Sequence, residues 1–255
     1  MQLFYKEYPG PGPVLIIMHG LFGMLDNWHN LARKFSEKYH VFLLDLRNHG
    51  QSEHSDEMDY SLMADDLREF MLEHFIPSAV ILGHSMGGKV AMEFALTYPE
   101  HTQKLIVADI APVKYKPGHN EIFDALFNLD ITDESKTRSD LDKELQVKIP
   151  DFGTRQFLMK SLVRKPEGGY EWKFNLDALY KNYDKILAVP KSDLPYEGPA
   201  LFIRGGASPY VRDEHLELIA LLFPNYTLVT LDGAGHWVHA EKPAELIAAV
   251  EEFID

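Results

Sequence analysis

The stretch Val80-Ile81-Leu82-Gly83-His84-Ser85-Met86-Gly87-Gly88-Lys89-Val90 decides how the rest of the chain is read. A short apolar run leads into Gly-x-Ser-x-Gly, and a helical pattern begins at Val90. That order predicts strand, sharp turn and helix, with Ser85 at the tip. A serine on so tight a turn needs very small neighbours, because a Cβ at Gly83 or Gly87 would collide with the adjoining strand or helix. The hydroxyl is then pushed outward, within reach of a base. The same residues also fit a Gly-rich turn whose serine only caps a helix, so the remainder of the chain has to decide.

On the N-terminal side, Val14-Leu15-Ile16-Ile17-Met18 is apolar at each position, the signature of a strand covered on both faces. It leads into His19-Gly20-Leu21-Phe22-Gly23, and a helix follows with Trp28, Leu31, Ala32 and Phe35 on one face. Val41-Phe42-Leu43-Leu44 leads likewise into Asp45-Leu46-Arg47-Asn48-His49-Gly50-Gln51-Ser52, then a helix from Ser61 carrying Met63, Leu67, Phe70 and Met71. Leu3 to Tyr8 predicts an edge strand, ended by Pro9-Gly10-Pro11-Gly12-Pro13. On the C-terminal side the helix after the elbow stops near Pro99, and Lys104-Leu105-Ile106-Val107-Ala108-Asp109 is the next strand. Residues 200–203 and 227–231 repeat the pattern around a helix through Leu216, Ile219, Ala220 and Phe223, and a terminal helix starts at Pro243. Strands alternating with helices predict an α/β fold, a mostly parallel, doubly wound sheet with helices on both faces.

Residues 112–195 break this rhythm, with helical patterns and no all-apolar strand. Ile122, Phe123, Leu126 and Phe127 form one helical face and Phe157, Leu158 and Leu162 suggest another. Gly168-Gly169, followed by Tyr170, Trp172 and Phe174, reads as a turn into a short extended piece. The expected organisation is a core domain of residues 1–111 and 196–255 with a helical cap inserted at 112–195. Ligands of open α/β sheets bind outside the carboxyl ends of the strands, so an insertion leaving such an end is expected to cover the site as a lid.

The chain has 255 residues, 45% of them hydrophobic, which suits one large α/β domain with a well-buried core. Its net charge of −14 repels nucleic acid and anionic membrane surfaces. Without cysteine there can be no disulfide, thiolate metal site or cysteine nucleophile. No stretch reads as a signal peptide or a bilayer span, so a soluble cytoplasmic protein, monomeric or a small homo-oligomer, is expected.

A serine is a weak nucleophile at neutral pH and needs a base. His236 is the candidate: Leu231-Asp232-Gly233-Ala234-Gly235-His236-Trp237 places it in a Gly-rich loop after the last strand, at the same sheet edge as Ser85. His239 lies one turn further on, but no third ligand is near and the acidic residue of a His-Glu-x-x-His motif is absent, so no metal is expected.

These motifs together resemble the α/β-hydrolase family: His19-Gly20 after a strand, Asp45-x-Arg47 with Gly50-x-Ser52, Gly83-x-Ser85-x-Gly87, and Gly235-His236. More narrowly, His19-Gly20-Leu21-Phe22-Gly23, Asn48-His49, Gly87-Gly88-Lys89, Asp109-Ile110-Ala111-Pro112 and the run from Gly233 to Pro243 are similar to the YbfF-type bacterial esterases. Most members carry the triad acid in the loop after the strand spelled here by residues 200–203, where this chain has Ser208, which cannot hold a charge against an imidazolium. Asp109 ends the preceding core strand at the same edge, and the resemblance implies that the acid comes from there, with Asp213 as the alternative. The resemblance also implies an oxyanion hole from the backbone N–H groups of Leu21 and Met86, with Phe22 able to replace Leu21. Asp45 and Arg47 are expected to form a loop ion pair bracing the site.

The reaction expected is two-step acyl transfer to water through Ser85, His236 and Asp109, with no cofactor. Phe22, His84 and Trp237 are the candidate substrate contacts. Lys160, Arg164 and Lys165, at helical spacing, would greet an anionic leaving group such as coenzyme A unless they are only a solvated face. The resemblance implies short-to-medium acyl esters and acyl-CoA thioesters as small-molecule substrates. The competing readings are carbon–carbon bond hydrolysis or perhydrolysis on the same triad, and a non-catalytic binding protein of this fold.

Overall fold

In a computed structural model, which describes residues 1–192 and 194–255, the chain opens with β1 (Tyr5–Tyr8) and β2 (Val14–Met18). Next come α1 (His29–Phe35), β3 (His40–Leu44), α2 (Tyr60–Glu73), β4 (Ala79–His84), α3 (Met86–Thr97) and β5 (Thr102–Ala108). The segment between β5 and the next sheet strand holds α4 (Asn120–Phe127), α5 (Arg138–Lys148), α6 (Phe152–Lys160), β6 (Leu162–Arg164), β7 (Tyr170–Trp172), α7 (Leu176–Lys181) and α8 (Tyr183–Ile186). The chain closes with β8 (Ala200–Gly205), α9 (Leu216–Leu222), β9 (Tyr226–Leu231), α10 (Val238–Glu241) and α11 (Pro243–Ile254).

Among the described residues seven strands form one sheet in the order β1-β3-β2-β4-β5-β8-β9, of which only the edge strand β1 runs antiparallel. The apolar runs fall where two-sided burial requires them: β4, central in the sheet, is buried at each position. Successive residues alternate between two apolar layers. Ile16, Met18 and Ile81 join one layer with α2, α3 and the segment after β5, whereas Leu15, Ile17 and Leu82 join the other with α1 and α11.

Helix boundaries differ from the pattern in instructive ways. α3 starts at Met86 rather than Val90, because the first-turn residues Gly87 and Gly88 have no side chains to display a period. α2 starts at Tyr60, since Asp59 caps it by accepting from the Leu62 N–H at 2.9 Å.

The segment leaving β5 is not purely helical. β6 and β7 pair as an antiparallel hairpin across the turn at Gly168 and Gly169, both with positive φ, and Leu162 belongs to this hairpin rather than to a helix. Lys160 consequently ends α6, Arg164 lies in β6 and Lys165 begins the hairpin turn, so the three cations share no helix face. Phe123, Leu126, Leu141 and Leu158 of this segment join the same apolar layer as α2 and α3. Asp193, within the expected insertion, lies outside the described residues. Among the described residues no helix is long and apolar enough to cross a membrane.

Candidate active site

Parallel register brings the reactive residues to one edge. Met18 pairs with Gly83, His84 with Ala108 and Ala108 with Ile203, so the loops after β2, β4, β5 and β8 leave side by side. Ser85 follows β4 with φ 53° and ψ −119°, a strained backbone that faces its side chain into the cleft. A Cβ on Gly83 would lie 2.0 Å from the Gly87 carbonyl oxygen, and one on Gly87 would lie 2.5 Å from that of His19. The elbow can exist only with glycine at both places.

Asp109 is fully buried, also with positive φ (50°), and its N–H is tied to the Ile203 carbonyl at 2.7 Å. Its Oδ1 accepts from the Gly205 N–H at 2.9 Å, and its Oδ2 accepts from His236 Nδ1 at 2.7 Å and from the Ser208 hydroxyl. Four donors would exhaust a carboxylate; three hold it aimed, with one acceptor site to spare. His236 Nε2 lies 3.0 Å from Ser85 Oγ. With Nδ1–H donated to the carboxylate, Nε2 is left as the acceptor for the serine proton. Asp213 is elsewhere, exposed and paired with Arg204 at 2.7 Å. Ser208, at the place usual for the acid, instead donates to Asp109.

The imidazole is held from two further sides. The Tyr210 ring stacks on His236 with centroids 3.9 Å apart, and His84 Nε2 donates to the His236 carbonyl at 2.8 Å. His84 is a buried ring whose pKa burial pushes well below the ordinary histidine value, so it serves as a neutral prop for the His236 loop. It walls a small cavity beside Ser85, with its Nε2 committed to the backbone.

A second pair of histidines builds the loop after β2. His19 donates from Nδ1 to the Gly20 carbonyl (2.8 Å) and accepts at Nε2 from the Leu46 N–H (3.1 Å). His49 donates from Nδ1 to the Arg47 carbonyl (2.9 Å) and accepts at Nε2 from the Phe22 N–H (3.2 Å). Both rings must be neutral to accept, and burial pushes both pKa values down. This commits Phe22 N–H and removes it as a substitute for Leu21. Among the described residues no group accepts from the N–H of Leu21 or of Met86, and both residues border the same cavity as Ser85.

Asp45 and Arg47 do not pair with each other. Asp45 accepts from the N–H groups of Leu25 (2.7 Å) and Gln51 (2.9 Å). Arg47 makes a buried bidentate pair with Asp66, Nε to Oδ2 at 2.6 Å and Nη2 to Oδ1 at 2.7 Å. The planar guanidinium fork finds a matching carboxylate on α2, while Asp45 is spent on backbone donors. Asn48 has φ 63°, a conformation open to Gly or Asn, and its carbonyl accepts from the Asn175 N–H at 2.9 Å, binding this loop to α7.

Two cavities meet at Ser85. The larger, about 440 Å³, runs beneath the segment leaving β5 and is bordered at its mouth by Lys114, Lys116 and Arg212. The smaller, about 60 Å³, is walled by Phe22, His84, His236 and Trp237, and the Trp237 ring packs on Phe157 of α6 at 5.7 Å. Lys160, Arg164 and Lys165 border neither. No group of three or more His, Asp or Glu able to hold a metal occurs among the described residues. His239 instead stacks on Trp28 at 4.6 Å, and burial pushes its pKa to about 3.

Sequence reasoning missed Tyr210, His119 and Lys89. Lys89 carried a signal: it is the one cation in a helix otherwise made almost wholly of small and apolar residues. Its buried ammonium donates to the carbonyls of Val113 (2.8 Å), Leu187 (3.2 Å) and Ala188, near the two ends of the segment between β5 and β8. Burial lowers its pKa to about 7, and the carbonyls pull the other way by favouring the ammonium.

A mostly parallel sheet of this order, with a serine on a strained strand-to-helix elbow and a histidine after the last strand, defines an α/β hydrolase. The chain belongs to that family: the model described as alpha/beta hydrolase fold matches residues 13–243, and the protein is an enzyme of the hydrolase class. It is 37% identical to "Esterase YbfF" of Escherichia coli, over 94% of this chain and 92% of that protein. It is 38% identical to "sn-1-specific diacylglycerol lipase ABHD11" of Mus musculus, over 95% of this chain and 81% of that one. Among solved structures it matches a "Marine microorganism esterase" with TM-score 0.96 and 42% identity, covering 99% of both chains.

Proposed function

We propose that the chain is a serine esterase that cleaves carboxylic esters of short-to-medium acyl chains, and acyl-CoA thioesters with them, through a covalent acyl-enzyme. The observation that carries this is the unbroken hydrogen-bond chain from Ser85 Oγ through His236 to Asp109, opening on a cavity of about 440 Å³. Ser85 Oγ attacks the carbonyl carbon while His236 Nε2 takes its proton. Asp109 keeps the imidazole in the Nδ1–H tautomer and stabilises the imidazolium. The free N–H groups of Leu21 and Met86 receive the oxyanion, Met86 from the first turn of α3, where the helix dipole adds to the bond. The imidazolium then protonates the leaving alcohol or thiol, and water repeats the steps to release the acid.

Residues 112–195 act in this reading as a cap, since they follow Asp109 directly and supply Lys114, His119, Tyr183 and Leu187 to the cavity wall. Lys114 and Lys116 at the mouth suit the phosphates of an acyl-CoA in a chain otherwise strongly acidic, while Arg212 beside them is paired with Glu214 at 3.1 Å. The test is a kinetic panel of p-nitrophenyl esters and acyl-CoA thioesters of graded length, with fluorophosphonate labelling. Wild type hydrolyses the shorter esters and is labelled, and Ser85→Ala loses both, with kcat falling about 10⁶-fold. An intact protein that neither turns over nor labels overturns the proposal.

A further inference from the structure

His119, in the loop before α4, takes no part in the hydrogen-bond chain, yet it occupies a singular place. Among the described residues three wall both cavities, Leu21, Ser85 and His119. Its ring therefore stands where the cleft narrows at the serine, on the side contributed by the segment after β5. The ring lies edge-on to Phe22 at 6.2 Å and to Tyr183 at 5.8 Å, so aromatic packing fixes its plane.

Its tautomer follows from counting donors and acceptors. Tyr183 Oη accepts from the backbone N–H groups of Gly118 (3.1 Å) and His119 (3.0 Å). Those two bonds use both lone pairs of the phenolic oxygen, and its own proton must go elsewhere. His119 Nδ1 lies 2.7 Å away and is the acceptor that remains. Nδ1 is thus unprotonated, and the hydrogen sits on Nε2. Burial, and then the nearby His236, push the pKa to about 4, so the ring is neutral at physiological pH. Among the described residues nothing accepts from Nε2–H. The ring offers the cleft one uncommitted, neutral donor of fixed direction, and nothing that could abstract a proton from a nucleophile.

We propose that His119 is a specificity residue that donates from Nε2 to an acceptor oxygen of the substrate beside the scissile group, so that esters bearing a further ether, ester or keto oxygen there are preferred over alkyl esters of the same shape. A donor without charge has no call for a carboxylate and is satisfied by a neutral oxygen. A methylene in that place leaves the N–H desolvated and unpaired, which is the stronger half of the discrimination. The inference rests on the ester-hydrolysis reading of the same site.

The test uses two isosteric pairs that differ by oxygen for methylene. On the acyl side these are p-nitrophenyl methoxyacetate and p-nitrophenyl butyrate, and on the alcohol side 2-methoxyethyl acetate and butyl acetate. The readout is the ratio of kcat/KM within each pair, which cancels the intrinsic reactivity of the esters when variants are compared. His119→Phe is expected to lower the oxygen-to-methylene ratio about 3–10-fold in at least one pair, the worth of one neutral hydrogen bond. The responding pair identifies which side of the ester His119 touches. His119→Gln, whose amide N–H can take the place of Nε2–H, is expected to keep most of the ratio. Tyr183→Phe releases the tautomer lock and is expected to lower the ratio without changing residue 119. Ratios that stay the same in all three variants, with ester turnover intact in wild type, overturn the inference alone. A wild type that hydrolyses none of the four esters overturns the esterase reading, and this inference with it.

Discussion

Ser85, Asp109 and the Gly20-Leu21 pair each sit at most a few residues past the end of a buried parallel strand, whereas His119 and Tyr183, which face them, meet across 64 residues of chain. The floor of the cleft inherits its geometry from sheet register, and loss of one side chain there leaves the strands in place. The roof inherits nothing comparable. Apart from the apolar layer it shares with α2 and α3, it is fastened by separate side-chain ties, among them Lys89 to the carbonyls at both ends, Asn182 Nδ2 to the Asp56 carbonyl at 2.9 Å, and Ser161 Oγ to the Phe22 carbonyl at 3.1 Å. Chemistry and stability should therefore separate on the floor and mix in the roof.

After loss of the nucleophile itself, the largest expected effect tests the floor. Asp109→Asn keeps the shape and the acceptor for Gly205 N–H, but its amide opposes the Nδ1–H tautomer of His236. Turnover is expected to fall about 10⁴-fold, with the unfolding midpoint little changed. Asp213→Asn, at an exposed position already paired with Arg204, is expected to remain close to wild type. Because Ser208 Oγ contacts the same carboxylate oxygen as His236, Asp109→Asn with Ser208→Asp is expected to recover part of the loss. Near-normal turnover in Asp109→Asn would break the comparison at its first member.

Lys89→Met tests the roof. It removes the donor to three carbonyls, of which Leu187 keeps the Tyr115 N–H at 3.0 Å while Val113 and Ala188 lose their partner, at a cost of about 1–3 kcal/mol, partly offset by no longer burying a charge. Denaturant melts should show the loss, and limited proteolysis should cut first within residues 112–195. The pH dependence has a definite sign. The folded-state pKa, about 7, lies below the unfolded value near 10.5, so the unfolded chain binds the proton more readily. The stability of wild type relative to Lys89→Met should rise with pH from about 7 to 10.5 and shrink as pH falls through 7. An unchanged gap would mean that the lysine is charged throughout.

The same division explains what could be read from the amino-acid order. The fold and the Ser85, Asp109 and His236 chain were legible because each lies next to a strand end, and apolar runs announce buried strands. Asn48 was legible only as part of the Asn48-His49 resemblance, and the positive φ it adopts was not. What escaped depends on pairings that no local period encodes. Arg47 chose Asp66 on α2 over Asp45 two residues away. Lys160, Arg164 and Lys165 kept helical spacing across a helix end that local pattern did not mark. Tyr210 could be placed on His236 only once β8 and β9 were known to be neighbours.

The smallest effect lies beneath the floor, where buried rings are neutral. His84 and His49 are pushed well below the ordinary histidine pKa, and His239 to about 3. Each is depressed on folding, so its contribution is fully present above the unfolded value of about 6.5 and is lost as pH falls toward the folded one. The unfolding midpoint should therefore decline below about pH 6.5 even before carboxylates protonate. His239 isolates one such group: it stacks on Trp28 and, among the described residues, its buried Nδ1 has no partner. His239→Phe keeps an aromatic face on Trp28 and deletes both the titration and the unpaired nitrogen. The variant should match or exceed wild type near pH 7, and its advantage should widen by up to about 1.4 kcal/mol per pH unit between pH 6 and 4. Turnover should change far less than in Asp109→Asn, because His84, not His239, holds the His236 carbonyl. A parallel loss of stability in both proteins would show that His239 gains its proton without unfolding, and would place the acid lability of the floor in His84 and His49 instead.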